Sequence, residues 1–364
     1  MFDGARILVA PLDWGLGHAS RCVPIVRALI EHGAVPVIGA DKGPLALLRE
    51  EFPQLEYMRI PGVEVRYAKG RSQIWAMAKQ FPAMLRSVRA EKQLFDRLLK
   101  GLRLDAVISD QRFGIRANEL PCVIITHQLF PFTPVLQGAL RRMNRRSVER
   151  FHRCWIPDVP EMPGLAGELS HGHHLPGNAR YIGPVSGLGS SDTPATSDPH
   201  RVVAVISGPE PQRELFEQEV IKQLLAIEGR HLLVSGTPGQ KEERQEGSIR
   251  ILPHLQASDL CNALLGAELI VSRTGYTTLM DLNALGRTAL LVPTSGQPEQ
   301  EYLGRLHAAK GGHAVQRQHE LDIAKGLEDP PRNAGPPGST DLLVKAFGDL
   351  AALIKERKPS TFTR

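Results

Sequence analysis

His18 is the residue of this chain best suited to move a proton. It closes the loop Asp13-Trp14-Gly15-Leu16-Gly17-His18, which joins the apolar run RILVAP to an apolar-periodic helix. Gly15 and Gly17 let backbone N–H groups come close to an anion, and a helix N-terminus favours negative charge. An imidazole with an ordinary pKa of about 6.5, held beside such a crevice, can take a proton from a hydroxyl. Asp110 ends the run DAVISD and is expected to orient His18 and stabilise its protonated form, although an Asp after a strand also serves as a helix cap. His127 ends the run PCVIITH and is expected to line the same crevice, either contacting a second reactant or making a structural hydrogen bond.

A second concentration of chemistry lies over residues 272–301, SRTGYTTLMDLNALGRTALLVPTSGQPEQE. A strand end meets a glycine turn and a hydroxyl-rich helix start, so Thr274, Gly275, Tyr276, Thr277 and Thr278 offer N–H groups and hydroxyls to a diphosphate. Arg273 would add positive charge without a metal. Asp281 follows Thr274 by close to two helical turns, shares its face and could accept from ribose hydroxyls. Gln297, Glu299, Gln300 and Glu301 follow the next strand, where they could read sugar hydroxyls. The bland alternative is a capped helix followed by a solvated loop.

Placing these residues requires strands that end at a common edge. Apolar runs at 6–11, 34–41, 55–60, 105–110 and 121–127 alternate with helical patterns at 20–31 and 72–100, the signature of a parallel sheet with crossover helices. The rhythm stops in a Gly/Pro/Ser/His-rich stretch and restarts at RVVAVIS, continuing through a helix over 212–228, HLLVSG, SIRILPH, a helix over 259–265, ELIVSR and TALLVP. The expected architecture is α/β: an N-terminal domain over 1–185, a linker over 186–200, a second Rossmann-like domain over 201–340, and a C-terminal helix and tail over 341–364.

The pair WGLGHASR and SRTGYTTLMDL…PTSGQPEQEYL resembles family 28 glycosyltransferases of the GT-B fold, which includes the N-acetylglucosaminyltransferase that completes lipid II. The likeness follows the order of elements along essentially the whole chain, and its specific part is the C-terminal motif. It implies two Rossmann-like domains facing across a cleft, with Gly15, Gly17, His18 and His127 on the acceptor side. The helix over 274–286 would hold the donor diphosphate, Asp281 would take the place of the ribose-binding carboxylate, and Gln300 with Glu301 would contact the donor sugar. Ser207 and Gly208 match the family's other phosphate loop in position. The sequence departs from the lipid II enzyme at Asp13-Trp14 in the first loop and Pro209-Glu210-Pro211 in the second, so acceptor identity does not carry over. The implied activity is inverting transfer from a UDP-sugar, plausibly an N-acetylhexosamine, to a small-molecule or lipid-linked hydroxyl, with no cofactor besides the co-substrate.

Three other readings compete. A nicotinamide enzyme would use Gly15-Leu16-Gly17 and Asp41, but Ser20 stands at the third glycine position and His18 would crowd the pyrophosphate. A nucleotide-sugar hydrolase or 2-epimerase of the same fold shares the pattern G-x-G-H-x-x-R. A non-catalytic nucleotide-sugar-binding protein would keep one half-site, whereas this chain has both.

Composition bounds the partners. Residues 1–190 hold 25 Lys+Arg against 17 Asp+Glu, while the remainder holds 19 against 22, so the first half is basic and the second acidic. The stretch 69–103, with Trp75, Phe81 and Phe95, and the arginines 141, 142, 145, 146, 150 and 153 could rest on an anionic membrane surface. No nucleic acid is expected as a partner. The four cysteines, 22, 122, 154 and 261, form no metal or disulfide pattern, and His171, His173 and His174 lack a carboxylate or Cys partner, so no metal is expected. With no signal-like start and no apolar run of membrane length, a cytoplasmic protein, peripheral at most on the inner face of the membrane, is expected.

Overall fold

The computed structural model describes residues 1–13, 15–62, 73–132, 137–172, 174–188, 199–240, 242–331 and 341–357. Most of the expected linker over 186–200 lies outside the described residues, as do Trp14, Lys69, Arg71, His173 and the side chains of Trp75 and Phe81.

The first lobe runs β1 (Arg6–Pro11), α1 (Leu16–Glu31), β2 (Val35–Ala40), α2 (Lys42–Glu51), β3 (Glu56–Arg59), α3 (Gln73–Leu99), β4 (Ala106–Asp110), β5 (Cys122–Ile125), α4 (Gln137–Val148), β6 (Arg153–Ile156) and β7 (Ala179–Tyr181). Its seven strands pair in the order β3-β2-β1-β4-β5-β6-β7, all parallel. The second lobe runs β8 (Val202–Val205), α5 (Gln212–Leu224), β9 (His231–Val234), β10 (Arg244–Glu246), β11 (Ile249–Leu252), α6 (Ala257–Gly266), β12 (Leu269–Ser272), α7 (Tyr276–Ala284), β13 (Leu290–Leu291), α8 (Pro298–Ala309), β14 (Ala314–Val315) and α9 (Ile323–Glu328). Its sheet has the order β10-β11-β9-β8-β12-β13-β14, parallel except for the edge strand β10.

The central strands are apolar on both faces because helices cover both. Ile7, Leu8, Val9 and Ala10 of β1 are all fully buried, Ile7 and Val9 in one core cluster and Leu8 and Ala10 in the other. Val203 and Ala204 of β8 divide in the same way between the two cores of the second lobe. Continuous apolar strands of this kind mark a sheet buried on both sides.

In each sheet the strand order reverses beside the first strand of the lobe, and ligands of open α/β sheets bind at the carboxyl ends there. In the first lobe that point lies between β1 and β4, whose register pairs Pro11 with Asp110. In the second it lies between β8 and β12, which end in the loops holding Ser207–Gly208 and Arg273–Gly275.

Two features were not given by the sequence reading. Helix α1 begins at Leu16 rather than residue 20, so His18 lies inside its first turn. Gly15 makes this possible: its φ of 118° turns the chain sharply from the loop into the helix, a conformation that side-chain-bearing residues disfavour. The C-terminal helix α10 (Asp341–Arg357) returns to the first lobe, where Phe347 packs edge-on against Phe2 with ring centroids 5.7 Å apart and Arg153 pairs with Asp349. Among the described residues no helix is long and apolar enough to cross a membrane.

Candidate active site

The site is built from helix and strand ends, so backbone geometry alone brings its groups together. Asp110, the last residue of β4, is completely buried. His18 projects from the first turn of α1 and sets Nδ1 2.9 Å from Asp110 Oδ2, the pairing expected from the sequence. Its side chain keeps 18% exposure, whereas that of Asp110 has none.

Arg21, one turn further along α1, was not among the expected site residues, and it organises the cluster. The residue is 2% exposed and its guanidinium forks onto Asp110, with Nε donating to Oδ2 at 2.7 Å and Nη2 to Oδ1. Nη2 also lies 2.6 Å from His18 Nδ1, and Nη1 lies 3.4 Å from His127 Nδ1. The signal was present in the sequence, because residues three apart on a helix share a face and His18-x-x-Arg21 has that spacing.

Charges in this enclosed space perturb one another strongly. Burial lowers the His18 pKa below its usual 6.5 and the Arg21 guanidinium lowers it further, against the opposing pull of Asp110. Burial acts to raise the Asp110 pKa, yet Arg21 and His18 together hold it below the ordinary carboxylate value.

The second lobe meets this cluster directly. Glu299, in the first turn of α8, accepts from His127 Nε2 at 2.7 Å and from Gln128 Nε2 at 2.5 Å. Burial opposes ionisation of Glu299, but the hydrogen bond from His127, with the Arg21 charge nearby, brings its pKa below the usual value. Tyr276 at the start of α7 stacks on the His127 ring, with centroids 4.0 Å apart and planes 13° from parallel, and donates its hydroxyl to the Pro157 carbonyl at 2.7 Å. Thr277 Oγ1 donates to the Gly17 carbonyl at 2.9 Å, so the N-terminal ends of α1 and α7 touch. A Cβ at Gly17 would stand 3.1 Å from that same Oγ1, which is why a residue without a side chain suits the position.

The remaining donor-side candidates divide into two groups. Tyr276, Thr277 and Thr278 precede the first intrahelical bond of α7, from Leu279 N–H to the Gly275 carbonyl at 3.0 Å, so their N–H groups begin the helix unpaired within it. Ser207 and Gly208 are partly exposed in the loop after β8. Asp281 Oδ1 accepts from Ser186 Oγ at 2.5 Å where the chain passes between the lobes, and burial pushes its pKa up to about 7 against that hydrogen bond.

Arg273, expected to present charge to a diphosphate, faces inward instead. Its guanidinium stacks 4.0 Å over the Phe216 ring and donates to the Gln212 carbonyl and Gln318 Oε1, both at 2.9 Å, and to the Val292 carbonyl at 3.3 Å. It ties together the loops that follow β8, β13 and β14. Thr274 is likewise fully buried. Gln297, Gln300 and Glu301, expected to read sugar hydroxyls, are used within their own loop. Gln297 caps α8 by accepting from Gln300 N–H at 3.1 Å, while Gln300 and Glu301 accept from the Thr294 and Gly296 N–H groups, each at 2.8 Å. A short loop leading into a helix has unpaired N–H groups, and these polar side chains are the nearest acceptors. Glu299 alone of this run reaches across the gap.

Among the described residues no group of three or more His, Cys, Asp or Glu side chains is arranged to hold a metal. His171 is buried, with Nε2 3.0 Å from the Val159 carbonyl, and stacks on Tyr181.

No family model matches the chain. A 68-residue segment is 35% identical to the UDP-N-acetylglucosamine–N-acetylmuramyl-(pentapeptide) pyrophosphoryl-undecaprenol N-acetylglucosamine transferase of Histophilus somni, a match confined to 18% of this chain and 19% of that relative's length. Over 320 residues the chain is 24% identical to an uncharacterized glycosyltransferase of Methanosarcina acetivorans, covering 81% of each. Among solved structures, the glycosyltransferase SnogD from Streptomyces nogalater superposes with a TM-score of 0.57 at 17% identity, over 98% of this chain and 96% of that one. The fold is GT-B: two Rossmann-like lobes whose switch points meet at one gap.

Proposed function

We propose that this protein is an inverting glycosyltransferase that moves a sugar of the N-acetylhexosamine class from a UDP-sugar to a hydroxyl acceptor without a metal. The observation that carries the reading is the position of His18, paired with Asp110 and facing the N-terminal end of α7 across a contact between Gly17 and Thr277. In the tautomer that donates Nδ1–H to Asp110, Nε2 holds a lone pair towards the gap. That nitrogen takes the acceptor proton as the acceptor oxygen bonds to the anomeric carbon, and the electron pair of the breaking C–O bond leaves with UDP. The N–H groups of Tyr276, Thr277 and Thr278, with the loop of Ser207 and Gly208, stabilise the departing diphosphate. Asp281 keeps Oδ2 for a ribose hydroxyl while Oδ1 holds Ser186.

The acceptor side of this reading is anionic or membrane-bound. Helix α4 turns Arg142, Arg145 and Arg146 outward and Arg150 follows them, a surface that suits phosphate-bearing acceptors or anionic headgroups. Through Asn144, which donates to the Gln128 and Leu129 carbonyls at 2.8 and 3.1 Å, the same helix braces the loop that meets Glu299.

A thermal-shift panel of nucleotide sugars against UDP, GDP, dTDP and NAD tests the donor, with a UDP-sugar expected to stabilise most. Once a transfer reaction is found, His18→Ala should cost at least about a hundredfold in kcat. A loss within about tenfold removes His18 as the base. A second reading, hydrolysis of the nucleotide sugar, draws on the pattern from Gly15 through His18 to Arg21. Free sugar released without acceptor, at rates near transfer, would favour it.

A further inference from the structure

We propose that Arg21 is a positioning residue that keeps His18 a neutral imidazole, by spending its guanidinium on Asp110 and lying against the His18 ring. This inference rests on the reading of His18 as a base.

The geometry departs from a plain carboxylate–imidazole pair. In such a pair an uncompensated carboxylate behind the ring favours the imidazolium, and the ring titrates upwards. Here both Asp110 oxygens are engaged by the Arg21 fork, through Nε at 2.7 Å and through Nη2, so the carboxylate presents little net charge to the ring. Nη2 itself lies 2.6 Å from His18 Nδ1, where it repels a second ring proton. A neutral ring can meet these neighbours in either tautomer, donating Nδ1–H to Oδ2 or accepting at Nδ1 from Nη2, whereas an imidazolium would set a second positive charge against the guanidinium.

The other charged groups facing this ring come from three further elements: Asp110 from the end of β4, His127 from beyond β5, and Glu299 from α8. Glu299 is held by His127 and Gln128 rather than bonded to His18, so it acts on the ring only through space. Burial acts first against the imidazolium; among the charged neighbours, with Asp110 opposing, the largest further push comes from Arg21. It also orients His127, because a guanidinium only donates: Nδ1 of His127 is the acceptor towards Nη1, and Nε2 carries the proton that goes to Glu299. A purely structural ion pair would explain the fork on Asp110 but would leave the protonation of His18 unchanged.

The test is an NMR titration of the full chain with isotope-labelled histidine, the His18 signal among thirteen imidazoles being identified by its loss in His18→Ala. Arg21→Met should raise the His18 midpoint by about one pH unit or more, a tenfold change in its protonation equilibrium. Arg21→Lys, which keeps the charge without the fork, should hold it within about half a unit of the wild type. Asp110→Asn, which leaves the guanidinium uncompensated, should lower it. A folded Arg21→Met protein with an unchanged or lower midpoint overturns the proposal. If Arg21→Met does not fold, a midpoint that rises in Asp110→Asn does the same. No substrate enters these measurements, so they are independent of the catalytic reading. Should the midpoints move as stated while His18→Ala retains transfer, the base assignment fails and the role of Arg21 in setting the ring's charge stands.

Discussion

His127 Nε2 lies 2.7 Å from Glu299 Oε1, so an imidazole at the end of the first sheet is bonded directly to the first turn of α8 in the other lobe. His127 is nearly enclosed and Glu299 largely so, which protects the bond from solvent screening. A double-mutant cycle with His127→Ala and Glu299→Ala, followed by chemical denaturation, should give a coupling of about 1.5–3 kcal/mol, the range for a hydrogen bond to a charged group. Because the Glu299 pKa is lower in the folded protein than its ordinary 4.5, this contribution is present above pH 4.5 and fades as acid brings the pH down through the folded value. Additive single effects at pH 7 would show that the lobes do not depend on this bond.

Asp281 should make stability fall as pH rises. Burial lifts its pKa from 3.8 to about 7, so the folded state holds a proton that the unfolded chain releases between those values. Stability associated with this group is complete below pH 3.8 and declines through pH 7, by up to about 4 kcal/mol at 1.36 kcal/mol per unit. Asp281→Asn retains an acceptor for Ser186 without the charge, so its advantage over the wild type should widen between pH 5 and pH 8. Melting temperatures at the two pH values measure this, and a constant offset would mean that Asp281 titrates like a surface carboxylate.

Asp158 should be among the costliest residues to remove. Its fully buried carboxylate accepts from the N–H groups of Val159, Leu165 and Ala166 at 2.9, 2.8 and 2.9 Å, and from Ser170 Oγ at 2.8 Å. Asp158→Ala strands these donors, at a cost of about 3 kcal/mol or more. Asp158→Asn, which keeps one acceptor oxygen, should lose less. The Pro157 carbonyl that receives the Tyr276 hydroxyl adjoins this loop, so Asp158→Ala should also loosen α7, seen as faster amide exchange at its first turn. A change in melting temperature of under about 2 °C would contradict this account.

The sequence by itself determined the two βα-alternating halves, the loop ending at His18 and the carboxylate at residue 110, because each is a local pattern. Apolar runs bounded by turns form strands, glycines after a strand permit a turn into a helix, and a residue ending a strand must sit at the sheet's carboxyl edge. Tertiary structure alone decided which polar groups became partners. Arg21 and Asp110 are 89 positions apart, and His127 and Glu299 are 172 apart, so no window along the chain links them. The same holds for residues that left the gap. Arg273 turned inward because the Gln212 and Val292 carbonyls, Gln318 Oε1 and the Phe216 ring enclosed its guanidinium, and Gln300 and Glu301 turned to unpaired N–H groups of their own loop. A polar side chain goes to whichever partner burial brings within hydrogen-bonding distance, and burial belongs to the whole fold.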